Sequence, residues 1–129
     1  MMVVDTSALV AIILDEPEAD ACMARLEAAS SVAISAGTLA EALIVADRRN
    51  VRDEMERLVS GLGLDIVAVT PAAARRVADA YARWGKGVHP ASLNYGDCFA
   101  YALAEERQSP LLFVGDDFSR TDITSALNS

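Results

Sequence analysis

The chain has 129 residues, 53% of them hydrophobic, and carries 19 acidic against 11 basic side chains for a net charge of -8. That length predicts one domain over residues 1–129, able to bury roughly two-thirds of its unfolded surface without staples. The acidic balance counts against a nucleic-acid binder that works by bulk electrostatics, and the longest apolar run, Ala8 to Leu14, is far short of the roughly 20 residues that span a bilayer. Asp5 stands where a signal peptide would carry positive charge, so a cytosolic protein without a membrane partner is expected. Cys22 and Cys98 show no metal-ligand spacing and are expected to be free, buried thiols.

In chain order, Met2 to Asp5 reads as a short buried strand, and Thr6-Ser7 as the cap of a helix through the apolar turns Ala8 to Leu14. Glu16-Pro17 interrupts, and a second helix runs from Glu18 to Ala29 with Ala21, Cys22, Met23, Leu26 and Ala29 on one face. Ser31 to Ser35 is a second strand. Ser35 or Thr38 caps a helix to about Arg49, and Val51 to Leu62 is another, closed by Gly61 and Gly63. Asp65 to Val69 makes a third strand, and Pro71 opens an alanine-rich helix to Trp84. Gly85 to Tyr95 is a loop. A helix then runs from Tyr95 or Gly96 to about Arg107, followed by the strand Leu111 to Val114, a turn at Gly115-Asp116-Asp117-Phe118, and a short element holding Ile123 and Leu127. Strands alternating with helices imply a parallel sheet covered on both faces.

Against that frame, acidic residues fall where such a fold gathers ligands. Asp5 and Asp116 end strands; Glu41 and Asp97 stand early in helices. The C-terminal ends of parallel strands and the starts of the following helices share one edge of the sheet. Carboxylates converging there repel one another and partly protonate unless a cation holds them, and magnesium or manganese suits all-oxygen ligands. Metal-assisted chemistry on a phosphate ester is the expected activity. Each acid also has a plainer role: Asp5 as a helix cap, Glu41 in a capping box with Thr38, Asp97 as the favoured charge of a first helical turn, and Asp116-Asp117 as a turn after glycine. Thr6 or Ser7 would support the metal ligands by hydrogen bonds, and Thr121 is a further candidate for that role beside Asp122. Arg48, Arg49, Arg52 and Lys86 are candidates for contacting a phosphate backbone, although such arginines also serve as solvated helix faces paired with nearby acids. His89 reads as a surface residue and Trp84 as core or interface.

Taken together, Val3-Val4-Asp5-Thr6-Ser7-Ala8-Leu9, the central Glu41, Leu93-Asn94-Tyr95-Gly96-Asp97-Cys98-Phe99-Ala100-Tyr101-Ala102-Leu103-Ala104 and Leu111-Leu112-Phe113-Val114-Gly115-Asp116-Asp117-Phe118-Ser119-Arg120-Thr121-Asp122-Ile123 closely resemble the VapC family of PIN-domain ribonuclease toxins. The resemblance spans the chain. It implies an α/β/α sandwich with a central parallel sheet of four or five strands, Mg2+- or Mn2+-dependent cleavage of RNA, a homodimer or toxin–antitoxin hetero-oligomer, and inhibition by a cognate VapB antitoxin in a prokaryotic cytoplasm. The family's acidic positions fall on Asp5, Glu41, Asp97 and Asp116, with Asp117 as the alternative fourth ligand, and its Ser/Thr position falls on Thr6 or Ser7. Two rivals come from other classes. A receiver domain for phosphoryl signalling needs an acid pair after its first strand and a lysine after its last, and here Asp5 stands alone while the only lysine is Lys86. A non-catalytic PIN-like binding module would be marked by a missing acid, and all four are present.

Overall fold

A computed structural model describes residues 1–127. Four parallel strands, β1 (Met2–Val4), β2 (Val32–Ser35), β3 (Asp65–Val67) and β4 (Leu111–Leu112), form one sheet in the order β3-β2-β1-β4. Helices α1 (Thr6–Ile13), α2 (Ala19–Ala28), α3 (Ala36–Arg48) and α4 (Arg52–Leu62) fill the connections on one side of the chain path, and α5 (Pro71–Trp84) and α6 (Tyr95–Arg107) lead back to β4. The strand period of two sorts the core into two layers. Val3, Ala33 and Leu111 join Val77, Trp84, Tyr101 and Leu103 on the α5–α6 face. Met2, Val4, Val32, Ile34 and Leu112 join Leu9, Leu26, Met55 and Val59 on the other. Val3 and Val4 are fully buried, as both faces being covered requires. The α/β/α sandwich expected from the sequence is therefore present.

The sheet grows outward from β1 through β2 to β3, then the chain crosses back and adds β4 on the opposite side of β1. That reversal leaves a crevice beyond the ends of β1 and β4, the place where parallel sheets bind ligands.

Several boundaries differ from the expected ones, and the differences concern the site. Asp5 lies just beyond β1 and is itself the cap of α1: its side chain accepts from the Ser7 amide, and Thr6 and Ser7 are inside the helix. The cap of α3 is Ser35, accepting from the Gly37 amide, so Thr38 lies within the first turns and its capping box with Glu41 does not form. Both strands β3 and β4 are shorter than read, ending at Val67 and at Leu112 where their ladder pairing ends. Among the described residues the sheet has four strands; the segment holding Ile123 and Leu127 adds only a bridge, Ser125 opposite Leu111. The Gly85–Tyr95 loop is a series of turns closed by a Gly85–Leu93 bridge, with Trp84 buried beneath it and the His89 ring edge-on to Trp84 at 4.6 Å. No helix among the described residues is long and apolar enough to cross a membrane.

Candidate metal-binding carboxylate site

Asp5 is held by its own helix. One carboxylate oxygen, Oδ2, accepts from the Ser7 amide at 3.0 Å and the Ser7 hydroxyl at 2.7 Å. The same hydroxyl accepts from the Val114 amide at 3.0 Å, so Ser7 joins the exit of β1 to the exit of β4. The other oxygen, Oδ1, is buried and has no hydrogen-bond partner. Capping thus occupies half of the carboxylate and leaves the other half free for a ligand. Burial pushes the Asp5 carboxyl up to about 6; the Ser7 bonds pull against this and the charge of Glu41 adds to it.

Glu41 is half-buried on α3, and its Oε1 accepts from the Thr6 hydroxyl at 2.7 Å, which also reaches the Thr38 carbonyl at 3.3 Å. A glutamate released from the capping box is instead fixed across the helix pair by Thr6. Gly96, at the start of α6, makes room for it: a Cβ there would collide with the Glu41 carboxylate.

Asp97 completes a capping box at the start of α6. Its amide donates to Asn94 Oδ1 at 2.8 Å and its Oδ2 accepts from the Asn94 amide at 3.0 Å. The expected capping role is real, and it coexists with 6% exposure in the crevice. Burial raises its carboxyl to about 7; the Asn94 bond opposes this, and the charges of Asp5, Asp117 and Glu41 raise it further. Burial, with the charge of Asp97 adding to it, pushes the neighbouring Cys98 thiol up to about 11.

Of the exposed pair after β4, Asp117 adds its charge to those bearing on Asp97. Asp116 contributes its backbone carbonyl to a turn, accepting from the amide and hydroxyl of Ser119. Thr121 is occupied elsewhere, its hydroxyl donating to the Phe118 carbonyl at 2.7 Å and accepting from the Ile123 amide.

Asp5, Glu41, Asp97 and Asp117 thus share one electrostatic field. They do not yet form a closed ligand set: among the described residues, no three His, Cys, Asp or Glu side chains are grouped tightly enough to hold an ion as placed. The donors nonetheless fit a hard divalent cation. All are carboxylate oxygens, and one of them is a buried oxygen with no donor, a costly state for an ionised group. The basic candidates divide. Arg52 is engaged with Asp47 at 2.7 Å and Glu56 at 3.5 Å, whereas Arg48, Arg49 and Lys86 are exposed and make no ion pair among the described residues. Asn94, Gly96 and Thr38 were not singled out as site residues, although the Asn94-to-Asp97 spacing carries a capping signal that could have pointed to the first of them.

The sheet order and the carboxylates gathered at one edge define an α/β domain with an acidic site, and the PIN domain family profile matches residues 2–123. The chain belongs to that family. Within it, Ribonuclease VapC36 of Mycobacterium tuberculosis is 45% identical over 126 residues, covering 95% of this chain and 91% of the relative. Ribonuclease VapC42 of the same organism is 44% identical over 130 residues, covering 97% and 98%. These relatives place the chain among the VapC ribonucleases. The fold is shared with M. tuberculosis VapC20, described as a sarcin–ricin loop cleaving toxin, at a TM-score of 0.77 and 14% identity over 96% of this chain and 97% of that one. A toxin–antitoxin complex from Klebsiella pneumoniae gives 0.70 at 19% identity over 98% of each chain.

Proposed function

We propose that this protein is the toxin of a type II VapBC pair, an endoribonuclease using Mg2+ or Mn2+ held by Asp5, Glu41, Asp97 and a fourth acid, Asp117 ahead of Asp116. The observation that carries this reading is the buried Asp5 Oδ1, left without a donor in a crevice where three further carboxylate charges bear on one another. When bound, the cation supplies the positive charge that activates a water for in-line attack and stabilises the leaving oxygen. The chain's own residues supply the order. Ser7 holds Asp5, Thr6 holds Glu41 and the Asn94 cap holds Asp97 at this edge of the sheet. Asp5 or Asp97 orients the attacking water.

The substrate reading is a structured RNA, tRNA or ribosomal, cut at one or a few sites in a prokaryotic cytoplasm. A carboxylate pocket acts on any phosphodiester, so selectivity has to come from the surface around it. Arg48 and Arg49 at the end of the Glu41 helix, and Lys86 in the loop that leads to Asp97, are the exposed cations placed for this. Arg52 adjoins them but is already shared with two acids. The acidic pocket suits a VapB antitoxin whose arginine competes with metal and RNA through charge-assisted bonds. Exposed Val69, Tyr81 and Tyr95 flank a groove of about 650 Å³ between α5 and α6, an apolar face that a second copy would cover in a homodimer.

Brief induction followed by mapping of new 5′ ends across cellular RNA, with Asp5→Asn as control, tests the activity. Discrete cuts absent from the control are expected, and Arg48→Ala with Arg49→Ala should shift or weaken them. Wild-type cleavage by Asp5→Asn removes the site. Cleavage at every accessible single strand removes the selectivity, and a purified wild type inert on all RNA with either metal leaves the non-catalytic binding module.

A further inference from the structure

On the same face of α6 as Asp97, one phenol gathers three elements. Tyr101 lies one helical turn after Asp97 and is 1% exposed. Its hydroxyl accepts from Trp84 Nε1 at 2.9 Å, and two carboxylate oxygens stand within reach, Asp122 Oδ1 at 2.6 Å and Glu105 Oε2 at 3.1 Å. A hydroxyl has one proton, and the shorter contact takes it: Tyr101 donates to Asp122. Burial and the bond to Asp122 both raise the Tyr101 phenol above its ordinary range, so it stays protonated and remains a donor. Arg83 balances the two acids, at 3.4 Å from Asp122 and 3.8 Å from Glu105, with its guanidinium 4.6 Å over the Trp84 ring.

The segment that returns from β4 is where this matters. Asp116 and Asp117 are exposed, and their side chains make no hydrogen bond among the described residues. Their placement comes from fixed points on either side. Before them, the Val114 amide is held by Ser7. After them, Phe118 packs against Phe113 at 5.1 Å, and further on Leu111 pairs with Thr124 and Ala126. The Phe118 contact is apolar and tolerates sliding. The Tyr101–Asp122 bond is charge-assisted and directional, and it is made to the same helix that presents Asp97.

We propose that Tyr101 and Asp122 are positioning residues for the carboxylate site, a clamp that sets the segment carrying Asp117 against the helix carrying Asp97. Breaking the clamp lets Asp117 drift from Asp97, so metal is held more weakly while the RNA-contacting surface is untouched. The inference rests on the metal-binding reading above, and the probe is Mn2+ alone, its free fraction followed by electron paramagnetic resonance on the whole chain. Tyr101→Phe and Asp122→Ala should weaken Mn2+ binding about ten-fold, the scale of losing a residue that orients a ligand. In RNA cleavage they should lower kcat at fixed metal with RNA KM unchanged. Asp122→Asn keeps an acceptor for the phenol and should recover most of the affinity that Asp122→Ala loses. Should Tyr101→Phe fail to fold, the Asp122 pair decides, because that side chain is half-exposed. Wild-type Mn2+ affinity in Tyr101→Phe and Asp122→Ala, or an Asn variant no better than Ala, overturns the clamp alone. A wild type that binds no Mn2+ overturns the metal reading and the clamp with it.

Discussion

Replacing Asp97 by Asn should abolish cleavage and, without metal, make the protein more stable. In the fold the Asp97 carboxyl is raised from its ordinary 3.8 to about 7, chiefly by burial. The unfolded chain ionises it freely, so its contribution to stability is fully present below pH 3.8 and is lost as pH rises through about 7. Holding the charge then costs about 4 kcal/mol at pH 8 and only about 0.5 kcal/mol at pH 4. Asn carries no charge at either pH, and its amide oxygen can still accept from the Asn94 amide, so the helix cap survives. The advantage of the variant over wild type should therefore grow from near zero in acid to about 4 kcal/mol at pH 8, a Tm difference of roughly 15 °C for a chain of this size. Thermal denaturation of both proteins in chelator at the two pH values measures it. A variant less stable than wild type at pH 8, or a difference independent of pH, would show that Asp97 is not a strained carboxylate and would refute the reasoning.

Gly96→Ala places a Cβ against the Glu41 carboxylate, and the flexible end of that side chain must move rather than the backbone. Cleavage should fall at least about ten-fold, the scale for a displaced metal-site group, with Tm almost unchanged; full activity in a folded variant would mean that Glu41 is not needed where it stands. Metal binding should weaken as pH falls from about 8 towards 6, because Asp5 and Asp97, raised to about 6 and about 7, must give up protons to bind it. Calorimetry in buffers of different ionisation enthalpy should show proton release on Mn2+ addition near pH 6, and an affinity flat across that range would argue against either acid as a ligand.

The sandwich, its parallel sheet and the elements bearing Asp5, Glu41 and Asp97 were legible in the sequence because hydrophobic period is a local property. Runs such as Val3-Val4 and Leu111-Leu112 sit next to cap and turn residues, and their alternation with amphipathic stretches admits few topologies. Caps were legible only as candidates: the chain offers Asp5, Thr6 and Ser7 in a row, and which of them caps depends on where the strand ends against its neighbours. The fate of Glu41 was likewise undecidable along the chain. Its spacing from Thr38 satisfies a capping box, and only the approach of α1, bringing Thr6 within 2.7 Å, assigns it to the crevice.

What the sequence determined by itself is thus the set of acids and the edge of the sheet on which they fall, since strand ends and helix starts follow from short-range patterns. Tertiary structure alone decided the rest: that Thr6 rather than a capping box holds Glu41, that Asp5 keeps one oxygen without a donor, and that Asp122 binds Tyr101. The physical reason is that a carboxylate's role depends on the direction of its side chain and on the charges, donors and burial around it. Those are supplied by segments up to about a hundred residues away, as Ser7 and Val114 show, and no local pattern encodes them.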